Sequence, residues 1–306
     1  MSSAPTPPQL SSPIVSAAIQ KNSWWTQKSP VFLFFTVLLA VSALLAWGLQ
    51  SVGKQVISSL EAQAALPAHN SSSQQSANSP AQTQAEALLQ RVATGDSGAA
   101  DEVLEQSDRW RGRTQRTTRA DQLLSISLNS SNMHTRQASL QAELAMDGVE
   151  RSQAGLDRLE QALDDPSQRA WALWMLGALG NRGVNPDHVT GLIASYVTDS
   201  DVNTRAAAVD GLSLLATDGT LPILLDRFHN DPSPAVQERA ACGLAQSGMY
   251  THEQRITVAS TLVNWLDDSQ LSPQQRSWNL QALRDISGQN LGTNSSEWRS
   301  WLDAAH

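Results

Sequence analysis

The chain has 306 residues, 41% of them hydrophobic, and a formal net charge of −8, enough for one sizeable domain with additional segments. Its one cysteine, Cys242, excludes an intramolecular disulfide and any cysteine-based zinc or iron–sulfur site. The three lysines (Lys21, Lys28, Lys54) precede residue 55, while residues 55–306 hold 18 arginines against 29 acids, a balance that argues against nucleic-acid binding, where a basic stripe is expected.

Residues 1–30 are rich in Pro and Ser without hydrophobic periodicity and are expected to form a disordered tail. The run VFLFFTVLLAVSALLAWGL over 31–49 carries no charge. As a helix it spans roughly 28 Å, close to the hydrocarbon thickness of a bilayer. Its twelve Val, Leu and Phe residues favour insertion by at most about 4–7 kcal/mol. A transmembrane helix is therefore predicted over 31–50. Trp24, Trp25 and Trp47 flank it where indoles favour the interface, and Lys21 and Lys28 before it against Lys54 after it bias the N-terminus to the cytoplasm. The run is too long for the apolar region of a cleaved signal peptide. The expectation is a single-pass anchor in the inner (cytoplasmic) membrane, with residues 55–306 in the periplasm or otherwise outside the cytoplasm.

Residues 51–83 read as a juxtamembrane segment and flexible linker, including the polar stretch PAHNSSSQQSANSPAQTQ over 67–84. From 84 to 306 the chain is dominated by Ala, Leu, Gln, Glu and Arg and is broken every 12–18 residues by Asp-, Pro-, Gly- or Asn-containing turns, a pattern of short helices.

Four segments of that region align with one another: DDPSQRAWALWMLGALG from Asp164, DSDVNTRAAAVDGLSLLA from Asp199, DPSPAVQERAACGLAQSG from Asp231 and SPQQRSWNLQALRDISG from Ser272. Each opens with a polar turn and then carries a polar residue, a mostly small residue three later, another small or medium one at six and Leu at seven. The sets are Arg169, Ala172, Met175, Leu176; Arg205, Ala208, Gly211, Leu212; Gln237, Ala240, Gly243, Leu244; and Arg276, Asn279, Ala282, Leu283. A looser earlier copy holds Arg136, Ser139, Ala142 and Leu144. These positions share one helix face, and small residues there let a neighbouring helix approach closely. Between them lie amphipathic partners marked by Leu156, Leu159 and Leu163; by Leu192, Ile193, Tyr196 and Val197; by Leu221, Leu224, Leu225 and Phe228; and by Val258, Leu262 and Trp265. Each pair exposes an apolar face that only the next pair can cover, which predicts an all-α, right-handed α-solenoid behind one N-terminal transmembrane helix.

The pattern resembles HEAT repeats, an armadillo-like architecture, especially the short bacterial kind also seen in phycobilisome-lyase-like proteins, over about residues 130–290. The resemblance implies a polar ladder between neighbouring repeats, built from Arg169, Arg205 and Arg276 with the turn acids Asp164, Asp199 or Asp201, Asp231 and Asp268. Gln237 departs from it where Arg is expected, and Arg239 is the candidate to compensate. The C-terminal stretch reads as a cap: Gly288 suits a helix end, Ser295 or Ser296 a helix start, and Trp298 and Trp301 the cover of the last apolar face.

Catalytic motifs are missing. The six histidines lack metal-ligand spacing, there is no glycine-rich phosphate loop or nucleophile elbow, and Asp164-Asp165 and Asp267-Asp268 fall at turns where they suit helix caps. Cys242, flanked by small residues, reads as a small core side chain, and Trp171 and Trp174 as core that could instead line a groove. Arg109, Arg111, Arg113, Arg116 and Arg119 surround Trp110. They form either a patch for an anionic partner or lipid headgroup, or a solvated face paired with Asp108, Asp121 and the acids of 101–105. No cofactor or metal is expected. The function expected is a membrane-tethered scaffold or adaptor that binds a protein or peptide in the cell envelope. The alternatives are a bilin-lyase-like enzyme, which the resemblance brings in, and a purely structural, self-associating envelope protein.

Overall fold

The computed structural model describes residues 79–305. The tail, the span over 31–50 and most of the linker lie outside the described residues, among which no helix is long and apolar enough to cross a membrane. Those residues form thirteen α-helices and one 3-10 turn, with no strand. The helices are α1 (Pro80–Ala93), α2 (Ser97–Gln106), α3 (Thr118–Leu128), α4 (Met133–Met146), α5 (Gln153–Leu163), α6 (Arg169–Asn181), α7 (Pro186–Ala194), α8 (Val202–Leu215), α9 (Thr220–Asn230), α10 (Pro234–Gln246), α11 (His252–Trp265), α12 (Pro273–Ser287) and α13 (Ser295–Ala305). The 3-10 turn, Ser107–Trp110, follows α2.

Local chemistry starts most of them. Ser79, Asp96, Thr117, Ser152 and Asp201 each accept a backbone N–H of the first turn they precede. Thr251 with Gln254 and Ser272 with Gln275 complete reciprocal capping boxes. Gly288 ends α12 at φ +70°, donating its N–H to Arg284 O at 2.8 Å. The start of α13 is marked by Asn294, whose Oδ1 accepts from the Ser296 N–H at 3.0 Å.

The even-numbered helices α2 to α12 form one row, each packed on the next even-numbered helix. The odd-numbered helices lie beside them, with α1 on α3 and α9, α11 and α13 in succession. Two apolar cores result. One gathers Leu89, Val103, Trp110 and Leu124 with Ala138, Ala142, Ala145 and Met146 of α4. The other begins with Leu140 and Leu144 of α4 and runs on to Trp298 of α13. α4 is thus buried on two faces, which is why its copy of the repeat is the loosest: a helix with apolar contacts on both sides loses the one-stripe pattern.

Every leucine of the aligned copies, Leu176, Leu212, Leu244 and Leu283, is fully buried. α6 and α8 meet backbone to backbone. A methyl group built on Gly177 would lie 2.2 Å from Gly211 O, and one on Gly211 would lie 2.4 Å from Leu173 O. One on Gly243 of α10 would meet Ser213 Oγ of α8 at 2.0 Å. On α13, Trp298 is fully buried, donates from Nε1 to Gly292 O at 3.0 Å, and takes Trp301 edge-on with ring centres 6.0 Å apart.

Candidate functional site

The first polar residue of each aligned copy bonds to a carbonyl of the turn before its own helix, in most copies six residues back. Arg169 Nε donates to Leu163 O at 2.9 Å, Arg205 Nη1 to Asp199 O at 2.9 Å, and Gln237 Nε2 to Asp231 O at 2.6 Å. Arg136 of the looser copy donates likewise to Ser130 O. Arg276 reaches Leu266 O at 2.7 Å and Asp268 O at 2.8 Å, while Asn279 donates to Leu262 O at 2.9 Å. The carbonyls of Ser130, Leu163, Asp231 and Leu266 sit at or just past the C-terminal ends of the preceding helices, where backbone acceptors lack helical partners and a cation meets the favourable end of the dipole. Gln237 can replace Arg here because the carbonyl needs a donor more than a charge.

Among the described residues, the pairing of a copy's first arginine with the turn acid of the next copy forms at one place. Arg205 Nε and Nη2 hold Asp231 Oδ2 and Oδ1 at 3.0 and 3.1 Å, and the Asp231 side chain is 0% exposed. This bidentate fork, with the Asp231 carboxylate as its largest cause, holds Arg205 above the ordinary arginine pKa. Asp164, Asp199 and Asp201 serve locally. Asp164 follows the end of α5, Asp199 Oδ1 accepts from the Asp201 N–H at 2.7 Å, and Asp201 caps α8 through Thr204. Asp268 binds His229 Nε2 at 3.0 Å. Arg169 stacks 5.7 Å above the Tyr196 ring. Arg239 pairs with Asp210 of α8.

In the four aligned copies, on α6, α8, α10 and α12, the positions two and five residues after those polar side chains stay partly outside the core, whereas on α4 the matching Ala138 and Gln141 are buried. The former are Trp171 and Trp174 on α6, Ala207 and Asp210 on α8, Arg239 and Cys242 on α10, and Trp278 and Gln281 on α12. Between α10 and α12 this face dips into a depression walled by Cys242, Gln246, Trp278, Gln281 and Asp285. The Cys242 thiol is pushed up to about 11 by burial, then by Glu238 and Asp285, so it is held neutral and is no thiolate nucleophile. The Asp210 carboxyl is pushed up to about 6 by burial, which Arg239 offsets only in part. Trp174 donates from Nε1 to Glu143 Oε2 at 3.2 Å, and burial raises the Glu143 pKa against the pull of Arg116. These two offsets carry dissimilar residues from copy to copy, so the alignment alone gave no reason to group them.

Asp210 makes stability depend on pH. Its carboxyl titrates near its ordinary 3.8 when unfolded and at about 6 when folded, so the folded state binds more protons between those values and stability falls as pH rises through that window. Asp210→Asn is expected to remove this slope and to gain about 1–2 kcal/mol at pH 7, less than the full shift because the side chain keeps 26% of its surface in water and its ion pair. Urea unfolding of both proteins at pH 4, 5, 6 and 7 checks it; parallel profiles refute it.

The five clustered arginines divide. Arg116 binds Glu143 at 2.6 Å, Asp121 at 2.7 Å and Asp147 at 3.2 Å; Arg111 binds Glu150 at 3.1 Å; and Arg119 lies 3.6 Å from Glu86. Arg109 and Arg113 are exposed and carry no ion pair among the described residues. Those residues also contain no group of three or more His, Cys, Asp or Glu placed to hold a metal ion.

Residues 156–245 match the family model of HEAT repeats. That segment covers α5 to α10 and includes the Gly177–Gly211 approach and the Arg205–Asp231 pair. HEAT repeats point to a protein-interaction scaffold. The chain is also similar to the crystal structure of an engineered protein, at 12% identity over 67% of this chain and 97% of that one, with a TM-score of 0.31. No curated protein matches.

Proposed function

We propose that this protein is a membrane-tethered helical-repeat scaffold that holds a protein or peptide partner in the cell envelope, without chemistry of its own. One observation carries the reading: the even-numbered row leaves an open face on which Trp171, Trp174 and Trp278 stand half-buried among hydrogen-bonding groups. Tryptophan concentrates binding energy because it offers a large rigid surface and an N–H at low entropic cost. The repeat match supports a scaffold, and the uncharged run over 31–49 supports the tether, with the N-terminus cytoplasmic and the repeat domain outside the cytoplasm.

Affinity capture of the full chain from detergent-solubilised membranes tests this. A specific polypeptide is expected to co-purify, and Trp171→Ala/Trp278→Ala is expected to lower its recovery about 30-fold while the bait keeps its helical far-UV circular dichroism at the capture temperature. Equal recovery by the variant, or no enriched polypeptide, refutes the face. An active alkaline phosphatase fused at the C-terminus is expected for the tether orientation; an inactive one reverses it.

A further inference from the structure

We propose that a small oxyanion of the phosphate class binds between Arg136 and Arg255 and ties α4 to the turn that joins α10 and α11. The site is independent of the tether and of the tryptophan face. Contacts in a stacked-repeat domain mostly join neighbouring repeats, and Arg136 departs from that rule. From the first turn of α4 it donates through Nη2 to Gly248 O, 112 residues further on, and through Nη1 to Ser130 O. Gly248 has φ +69°, and a methyl group built on it would lie 2.5 Å from Arg136 Cζ. The guanidinium thus fills the space that a larger residue would need. Arg255, in the first turn of α11, brings its own charge up to that of Arg136.

The two cations meet without a counter-charge. Arg136 is 8% exposed and Arg255 half-buried, and among the described residues neither makes an ion pair. The Nε–H of each is buried with no acceptor. Burial, then the charge of Arg255, holds Arg136 below the ordinary arginine pKa, with no carboxylate pulling the other way. The acids that reach these two helix starts are engaged with other groups. Asp101 binds His134 Nε2 of α4 at 2.7 Å, and Asp218 accepts from Gln254 Nε2 of α11 at 2.7 Å. Glu253 is exposed and stands two residues before Arg255, a spacing at which helical side chains do not face each other. Like charges brought side by side out of water are costly unless an anion joins them, and buried N–H groups without acceptors favour a bound ion. Both arginines lie in first helical turns, where the backbone dipole adds to the attraction. The terminal nitrogens of Arg255 reach solvent and have no acceptor among the described residues, which gives an anion its way in. A doubly charged tetrahedral oxyanion balances both guanidiniums and offers each an oxygen, whereas one carboxylate would leave a charge over.

Calorimetric titration of the full chain in detergent with inorganic phosphate, in chloride buffer of constant ionic strength, tests the site. One phosphate per chain is expected to bind with a Kd on the order of 1 mM or tighter. Arg255→Gln is expected to weaken it about tenfold or more, and the exposed pair changed as Arg109→Gln/Arg113→Gln to leave it unaltered. Phosphate at roughly ten times its Kd is expected to raise the thermal midpoint by about 3–6 °C. In chloride alone Arg255→Gln is expected to raise the midpoint, because it removes one of two like charges; a lowered midpoint marks a purely structural arginine and overturns the proposal. No binding up to about 10 mM phosphate, or equal affinity in Arg255→Gln, overturns it as well. Acetate that binds as tightly as phosphate also overturns it, and assigns the arginines to a carboxylate of a polypeptide partner.

Discussion

Gly211→Val is expected to destabilise the repeat domain by about 4 kcal/mol or more, beyond the ~1–3 kcal/mol usual for overpacking. A Cβ on Gly211 would stand 2.4 Å from the Leu173 carbonyl oxygen and 3.3 Å from Ile193 Cδ1. The first obstacle is backbone, which cannot swing aside as a side chain can. Relief requires α6 and α8 to part, and the reciprocal contact at Gly177, 2.2 Å from Gly211 O, opens with them. The buried leucines on either side, Leu176 and Leu212, then lose contacts that no other rotamer restores. Gly191 of α7 is the internal control. It has nothing within 4 Å of an added methyl, so Gly191→Ala is expected to stabilise by about 0.5–1 kcal/mol through helix propensity alone. Denaturant unfolding of the three proteins decides it, and a cost below about 1 kcal/mol for Gly211→Val, less than overpacking usually costs, would show that the two helices are not in backbone contact.

The second large effect is at Arg205. Arg205→Met is expected to cost about 3–4 kcal/mol, because it strands the Asp231 carboxylate without its main counter-charge. The side chain of Asp231 is fully buried, and the remaining cation, Arg227, stands 3.7 Å away with no bidentate geometry. The same substitution also removes the donor to Asp199 O and Ser200 O behind α7. The double variant Arg205→Met/Asp231→Leu is expected to recover at least half of the loss, since a buried pair replaced by apolar side chains often comes close to neutral. A double-mutant cycle measured by urea unfolding gives the coupling directly. Additive losses would refute it and would reduce Arg205 to the turn-capping role that Gln237 fills without a charge.

Asp231 also separates what spacing shows from what only contact shows. A turn acid and a helix arginine recur at repeat spacing, and the repeat resemblance implied a ladder of such pairs. The donors to turn carbonyls are common to the copies, because a helix that ends ahead of each copy leaves unpaired acceptors that the next helix must satisfy. The carboxylate pair needs more than sequence position. It needs the next turn to bury its acid within reach of the previous arginine, and that depends on how two helix pairs settle against each other. Likewise the five arginines are one cluster in sequence. Their division into three paired and two free followed from Glu86, Glu143, Asp147 and Glu150, which lie 27 to 39 residues from the arginines they reach and come near only once α1, α4 and the start of α5 are folded.

By itself the amino-acid sequence determined the all-helical class, the helix pairs and the residues at their buried seams. Apolar periodicity, caps and small-residue spacing act within a turn or two of helix and leave their mark in the order of residues. The tertiary structure alone decided that α4 serves two cores, that Gly177 faces Gly211, that Arg205 of one copy reaches the buried Asp231 of the next, and that Trp278 takes up the same half-buried offset as Trp171. Each of these depends on distances between segments far apart in the chain, and such distances are set by packing, which no local pattern encodes.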